Sequence, residues 1–120
     1  MKNLGRHLLV EFYGCDFSLL DNVTKLRGIL THAVIAAGTE VVDIVSHHFS
    51  PQGSVVVIII EESHLVISTW PEHGYAAIDI FTCGEGTNPE KALDFLIDNL
   101  KPTKTTIMEI RRGIFTSKNS

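Results

Sequence analysis

The chain has 120 residues, 44% of them apolar, and a formal net charge of -4. That length suits one domain with a core of its own, and an acidic balance without clustered Lys and Arg excludes a nucleic-acid footprint. No apolar stretch reaches membrane-spanning length, and Met1-Lys2-Asn3 leads into amphipathic sequence without an apolar leader, so a soluble, cytoplasmic protein is expected.

Gly5 to Tyr13 predicts the first strand, with Leu8, Val10 and Phe12 on one face and His7, Leu9, Glu11 and Tyr13 on the other. Glu11 reads first as a charge on a solvated sheet face. A helix follows, with Asp21 as N-cap, a stripe of Leu26, Leu30, Ala33 and Ala37, and Gly38 just past its end. Thr39 to Phe49 is the second strand, Pro51-Gln52-Gly53 its turn, and Ser54 to Glu62 the third strand. Val55 to Ile60 is apolar on both faces, which points to a second sheet, most simply from a partner subunit, covering the face that has no helices.

The stretch Glu61 to Gly84 organises the rest. Two alternating runs, Leu65 to Trp70 and Ala76 to Cys83, flank Pro71-Glu72-His73-Gly74, which reads as the connection of an antiparallel hairpin. Ser63 then comes level with Cys83, so a hydroxyl, a thiol and carboxylates share one end of a sheet. On residue type alone, a polar turn and a small buried thiol are the commoner meaning of such a group. Asn88-Pro89 opens a second helix carrying Leu93, Leu96, Ile97 and Leu100; Lys101-Pro102 stops it. Thr105 to Arg111 is the last strand, and residues 116–120 are expected to be a disordered tail. The sum is one α+β domain over residues 1–115, a two-layer sandwich of a mostly antiparallel sheet with two helices on one face. Cys15 and Cys83 have neither metal-ligand spacing nor disulfide density, so both are expected to be reduced and no metal is expected.

Glu-Ser-His-Leu, Thr-Trp-Pro-Glu, Gly-Tyr-Ala-Ala-Ile-Asp and Phe-Thr-Cys-Gly follow one another at a spacing that resembles the short prokaryotic S-adenosylmethionine decarboxylase proenzymes. Leu4 to His7 with Glu11, His47 to Gly53, and Arg112-Gly113-Ile114 extend the resemblance over nearly the whole chain. It implies self-cleavage between Glu62 and Ser63 that turns Ser63 into a pyruvoyl group, with no pyridoxal phosphate or metal. Decarboxylation leaves a carbanion at Cα, and the pyruvoyl ketone supplies the electron sink by forming a Schiff base with the substrate amine. The resemblance further implies Cys83 as proton donor, Phe49 stacking on adenine, Glu72 accepting from the ribose hydroxyls, and Trp70 walling the same pocket. Two protomers would pack sheet against sheet with the sites near that interface.

Two positions depart from the family pattern. The histidine expected five residues after the processing serine is Ser68, and the Ser or Thr expected eight residues before it is Val55. His64, His47 or His73 is the available substitute imidazole, and Ser54 is one residue out of place for the hydroxyl. Three functions follow. The first is a pyruvoyl-dependent S-adenosylmethionine decarboxylase of spermidine synthesis; the second is a relative acting on arginine or ornithine; the third is an unprocessed homologue that binds the nucleoside without catalysis.

Overall fold

The structure, a computed structural model, describes residues 2–115; the tail predicted over 116–120 lies outside them. The described residues form β1 (Lys2–Tyr13), α1 (Phe17–Leu20), α2 (Val23–Ala36), β2 (Val41–His48), β3 (Ser54–Ile60), β4 (Ser63–Trp70), a 3-10 turn (Pro71–His73), β5 (Tyr75–Cys83), α3 (Pro89–Leu100) and β6 (Lys104–Phe115). All strand pairings are antiparallel, in the order β2-β3-β4-β5-β1-β6. The chain therefore begins inside the sheet, crosses by α2 to the far edge, returns strand by strand, and closes on the free side of β1.

Alternation decides which face is covered. Leu8, Val10 and Phe12 of β1, Val56, Ile58 and Ile60 of β3, Leu65 and Ile67 of β4, and Ala76, Ile78 and Ile80 of β5 all point one way and are buried. Against them lie Leu26, Leu30, Ala33 and Ala37 of the α2 stripe, and Leu93, Leu96 and Leu100 of α3. This is the predicted α+β sandwich. Arg6 adds a polar tie from β1 to β6 and α3, pairing with Glu109 (2.8 Å) and Glu90.

Several boundaries differ from the sequence expectation: β2 is shorter than Thr39 to Phe49, and β3 ends at Ile60 rather than Glu62 because Glu61 and Glu62 form the turn into β4. A short helix, α1, was not anticipated, because four residues are too few to show a period; Asp16 caps it by accepting from the Leu19 N–H (3.2 Å). As α1 takes the chain to Leu20, α2 starts one residue later than expected, and its N-cap is Asn22, whose Oδ1 accepts from the Lys25 N–H (3.0 Å). Asp21 is thereby released for another task. Finally, β1 and β6 pair from Lys2 opposite Phe115 to Tyr13 opposite Lys104, so each is longer than its own pattern shows.

Among the described residues, the opposite sheet face carries no helix. Its side chains stand in rows across the strands, and the rows fix the geometry of every candidate residue.

Candidate active site

At one end of the sheet, β3 and β4 are joined by a two-residue turn, Glu61-Glu62, closed by Ile60 opposite Ser63. Glu62 has φ of +69°, in the left-handed region that a residue with a Cβ rarely occupies and that costs on the order of 1 kcal/mol or more. The strained residue immediately precedes Ser63. His64 opposes Phe81, which puts Ser63 level with Thr82, at the same sheet end as Cys83 but one residue short of the level expected from the hairpin. By the pleat, however, Ser63 falls on the helix-covered side with Leu65, while Cys83 falls on the open side with His64 and Phe81.

The open side at this end is packed around Phe81. His7 stacks on its ring (5.1 Å between centroids), His64 meets it edge-on (5.5 Å), and the Arg112 guanidinium lies 4.8 Å from its centre. His7 Nε2 also bonds Asp79 Oδ1 (3.1 Å). Gly5 leaves the space: a Cβ there would come within 2.6 Å of Phe81 and 2.9 Å of the Cys83 sulfur. Cys83 is a partly exposed free thiol, whereas Cys15 is buried and its thiol is pushed up to about 11 by desolvation. A cavity of about 470 Å³ adjoins the turn, lined by Glu62, Gly5, Arg6, Thr82, Gly84 and Glu85 among others.

The other predicted residues gather at the far end of the same hairpin. Phe49, Val55, Ser68, Trp70 and Glu72 line one cavity of about 430 Å³ with Gln52, Gly53, Ser54 and Thr69. Phe49 and Trp70 are half-exposed there, Phe49 edge-on to His47 (4.7 Å between centroids). Aromatic faces beside a carboxylate suit a purine nucleoside. The two positions at which the sequence reading expected other residues are direct neighbours: Val55 opposes Ser68 across β3 and β4, and His47 opposes Val55 from β2. No register shift interrupts β3 against β4, so Ser54 faces away from Val55. It is buried, and its Oγ has no hydrogen-bond partner among the described residues. Ser54 therefore does not stand in for the hydroxyl at 55.

Glu11 lies in the same row as Ser68, across β5. It is not a lone solvated charge: Tyr13 Oη and Tyr75 Oη each donate to it at 2.7 Å, and Thr106 Oγ1 at 3.3 Å. These donors, Tyr75 first and Tyr13 second, hold the carboxyl below its ordinary value, while the carboxylate pushes the Tyr75 hydroxyl up to about 12. Tyr75 also packs on Tyr13 (5.3 Å) and Trp70 (5.5 Å), linking Glu11 to the aromatic end. Tyr13 shares the face of Glu11 in the sequence pattern, but the part of Tyr75 depends on the β1–β5 register, which no local pattern carries.

Among the described residues, no group of three His, Cys, Asp or Glu side chains is placed to hold a metal, and no helix is long and apolar enough to cross a membrane. The turn carries a serine behind a strained peptide, with a free thiol at the same end.

The fold is a small α+β sandwich with Ser63 behind a left-handed Glu62 at one end of the sheet and an aromatic, carboxylate-bearing cavity at the other. The chain belongs to the S-adenosylmethionine decarboxylase family, whose sequence model matches residues 6–113. It is 48% identical over 115 residues to the S-adenosylmethionine decarboxylase proenzyme of Acetivibrio thermocellus, covering 96% of this chain and 93% of that one. It is 49% identical over 114 residues to the proenzyme of Pelotomaculum thermopropionicum, covering 95% and 90%. The crystal structure of the adenosylmethionine decarboxylase from Aquifex aeolicus is similar over 98% of this chain and 97% of that one, with a TM-score of 0.91 and 35% identity.

Proposed function

We propose that this chain decarboxylates S-adenosylmethionine, supplying the aminopropyl donor for spermidine synthesis, after cutting itself between Glu62 and Ser63. The observation that carries this reading is Glu62 at φ +69° next to Ser63, with Cys83 at the same sheet end. A peptide already displaced from its relaxed geometry is closer to the bent form it adopts when a hydroxyl adds to its carbonyl. Ser63 Oγ attacks the Glu62 carbonyl carbon and the amide nitrogen leaves, giving an ester. Loss of the Ser63 Cα proton and of the ester oxygen then splits the chain, and hydrolysis with release of ammonia leaves the pyruvoyl group at position 63. In the processed protein, Cys83 returns a proton to the substrate Cα after carbon dioxide leaves.

The adenosine half of the substrate belongs in the far cavity, stacked on Phe49 and walled by Trp70, with its ribose diol on Glu72; Glu11 backs the same sheet face. Ser68 and Ser63 are five residues apart on β4, about 17 Å at the rise of a strand. One small substrate spans both groups of residues only when a second copy lays its open sheet face against the first, cavity end to turn end. The homodimer is therefore part of the reading. Val55, Val57, Ile59, Val66, Leu9, Met108 and Ile110 supply the apolar cover between the copies.

The test is release of labelled carbon dioxide from carboxyl-labelled S-adenosylmethionine, with arginine and ornithine in parallel. Release from S-adenosylmethionine alone, abolished in Ser63→Ala, is the expected result; release that survives Ser63→Ala, or that favours arginine or ornithine, overturns it. One specific observation favours a second reading. Val55 opposite Ser68 puts a methyl group and a hydroxyl where the family pattern has a hydroxyl and an imidazole, which suits an unprocessed nucleoside binder.

A further inference from the structure

The released residue Asp21 has its carboxylate turned away from both helices it joins. Its Oδ1 accepts from the Gly53 N–H (2.9 Å) and contacts His48 Nε2 (2.8 Å). These are the two ends of the turn that carries Phe49: His48 closes β2, Gly53 leads into β3, and the Phe49 N–H donates to the Gly53 carbonyl (2.7 Å). Gly53 is at φ +110°, and a Cβ there would come within 3.2 Å of the Thr69 carbonyl oxygen, so the turn cannot be stiffened by its own side chain at that position. Besides the Phe49–Gly53 bond and the His48–Ser54 pairing, the turn is held from outside by one carboxylate oxygen that meets both of its ends.

Two neighbouring bonds make the same connection. The buried Thr69 hydroxyl donates to the Leu20 carbonyl (2.8 Å) and accepts from the Ser54 N–H (2.9 Å). The Cys15 N–H donates to the Gly74 carbonyl (2.9 Å), fixing the end of the turn that carries Glu72. The segment from Cys15 to Asp21 thus grips the far cavity at residues 53, 69 and 74, although none of its own residues lines that cavity.

We propose that Asp21 is a positioning residue of the nucleoside cavity, holding the Phe49–Gly53 turn so that the Phe49 ring stands where a purine stacks. This rests on the adenosine reading of that cavity. It adds that α1 and its flanks set the affinity for the nucleoside without touching it. A stacking ring displaced by an ångström loses contact over its whole face, so a support of this kind is felt in binding more than in folding.

Trp70, the only tryptophan of the chain, lines the cavity and reports occupancy by its emission, with calorimetry as the second readout. The ligand is methylthioadenosine, titrated into the full chain and its variants below their melting temperatures. Asp21→Ala is expected to weaken binding by about 5- to 30-fold, the factor that one or two kcal/mol represents. Asp21→Asn, which keeps the same acceptor oxygen, restores most of the affinity, and His48→Ala, which removes one of the two contacts, weakens it by less than Asp21→Ala. A merely structural aspartate would lower the melting temperature and leave the affinity of the folded variant unchanged. Parent-like binding by folded Asp21→Ala overturns the proposal; if that variant does not fold, parent-like binding by His48→Ala does so. A parent chain that binds no nucleoside removes the cavity reading and this role together, whereas a parent that binds and variants that bind equally well remove this role alone.

Discussion

Glu11 shows how much a single residue depends on its neighbours across the sheet. Alone on an apolar strand it reads as a solvated charge; between Tyr13, Tyr75 and Thr106 it is a fixed acceptor beside the aromatic end of the cavity. Because the fold depresses its pKa, the stabilisation it gives is fully present above its ordinary value of 4.5 and is lost as pH falls through the lower folded value. Thermal melts of the parent and of Glu11→Gln should therefore differ at pH 7 and converge on acidification below that ordinary value; a difference that persists unchanged into acid would mean the tyrosine bonds do not favour the carboxylate. Gly5 is the second residue whose part was hidden. With a backbone oxygen and the Phe81 ring each 2.6 Å from where its Cβ would stand, Gly5→Ala should destabilise by about 1–3 kcal/mol in denaturant unfolding, the usual cost of overpacking, and should shift the Cys83 sulfur. An unchanged midpoint would show that the space at Gly5 is not needed.

The β3–β4 hairpin is the element that carries the proposed cleavage site. Period-two alternation placed β4, and Pro71 with Gly74 placed the β4–β5 connection, so Ser63 and Cys83 at one sheet end were legible without coordinates, whereas the one-residue offset that sets them on opposite faces was not. The left-handed Glu62 was not, because a Glu-Glu turn carries no glycine to announce positive φ. Nor was the work of Asp21, since a residue before a helix pattern reads as a cap, and only the fold shows that Asn22 takes that place. Val55 opposes Ser68 in one row of the open face, and the sequence reading expected a hydroxyl and an imidazole at these two positions. Loss of a general base costs about 100- to 10,000-fold in rate, so the unmodified chain should cleave slowly. In a mass time course Ser68→His should raise the processed fraction, and Val55→Ser added to it should raise it further. A processed fraction no higher in Ser68→His than in the parent would move the defect from this row to the Glu61-Glu62 turn itself.

For the molecule as a whole, the decisive feature is a sheet with helices on one side only. The core side followed directly from alternation in β1, β4 and β5, and the α2 and α3 stripes matched it. The lengths of β1 and β6 did not, because each is stabilised by a partner about a hundred residues away rather than by its own pattern. The open face still exposes Val45 and Ile59 toward the β2 edge and Met108 and Ile110 on β6, more apolar surface in one plane than a lone small domain usually leaves uncovered. Light scattering should accordingly give twice the chain mass at micromolar concentration; a clean monomer would leave the serine turn and the nucleoside cavity about 17 Å apart with nothing to join them. The reading as a self-processing decarboxylase is tested most directly by the intact mass of the purified chain followed over time at neutral pH. Slow, incomplete conversion into two chains that meet between Glu62 and Ser63, absent in Ser63→Ala, is the predicted result, and a chain that stays whole throughout, or breaks at any other bond, would contradict it.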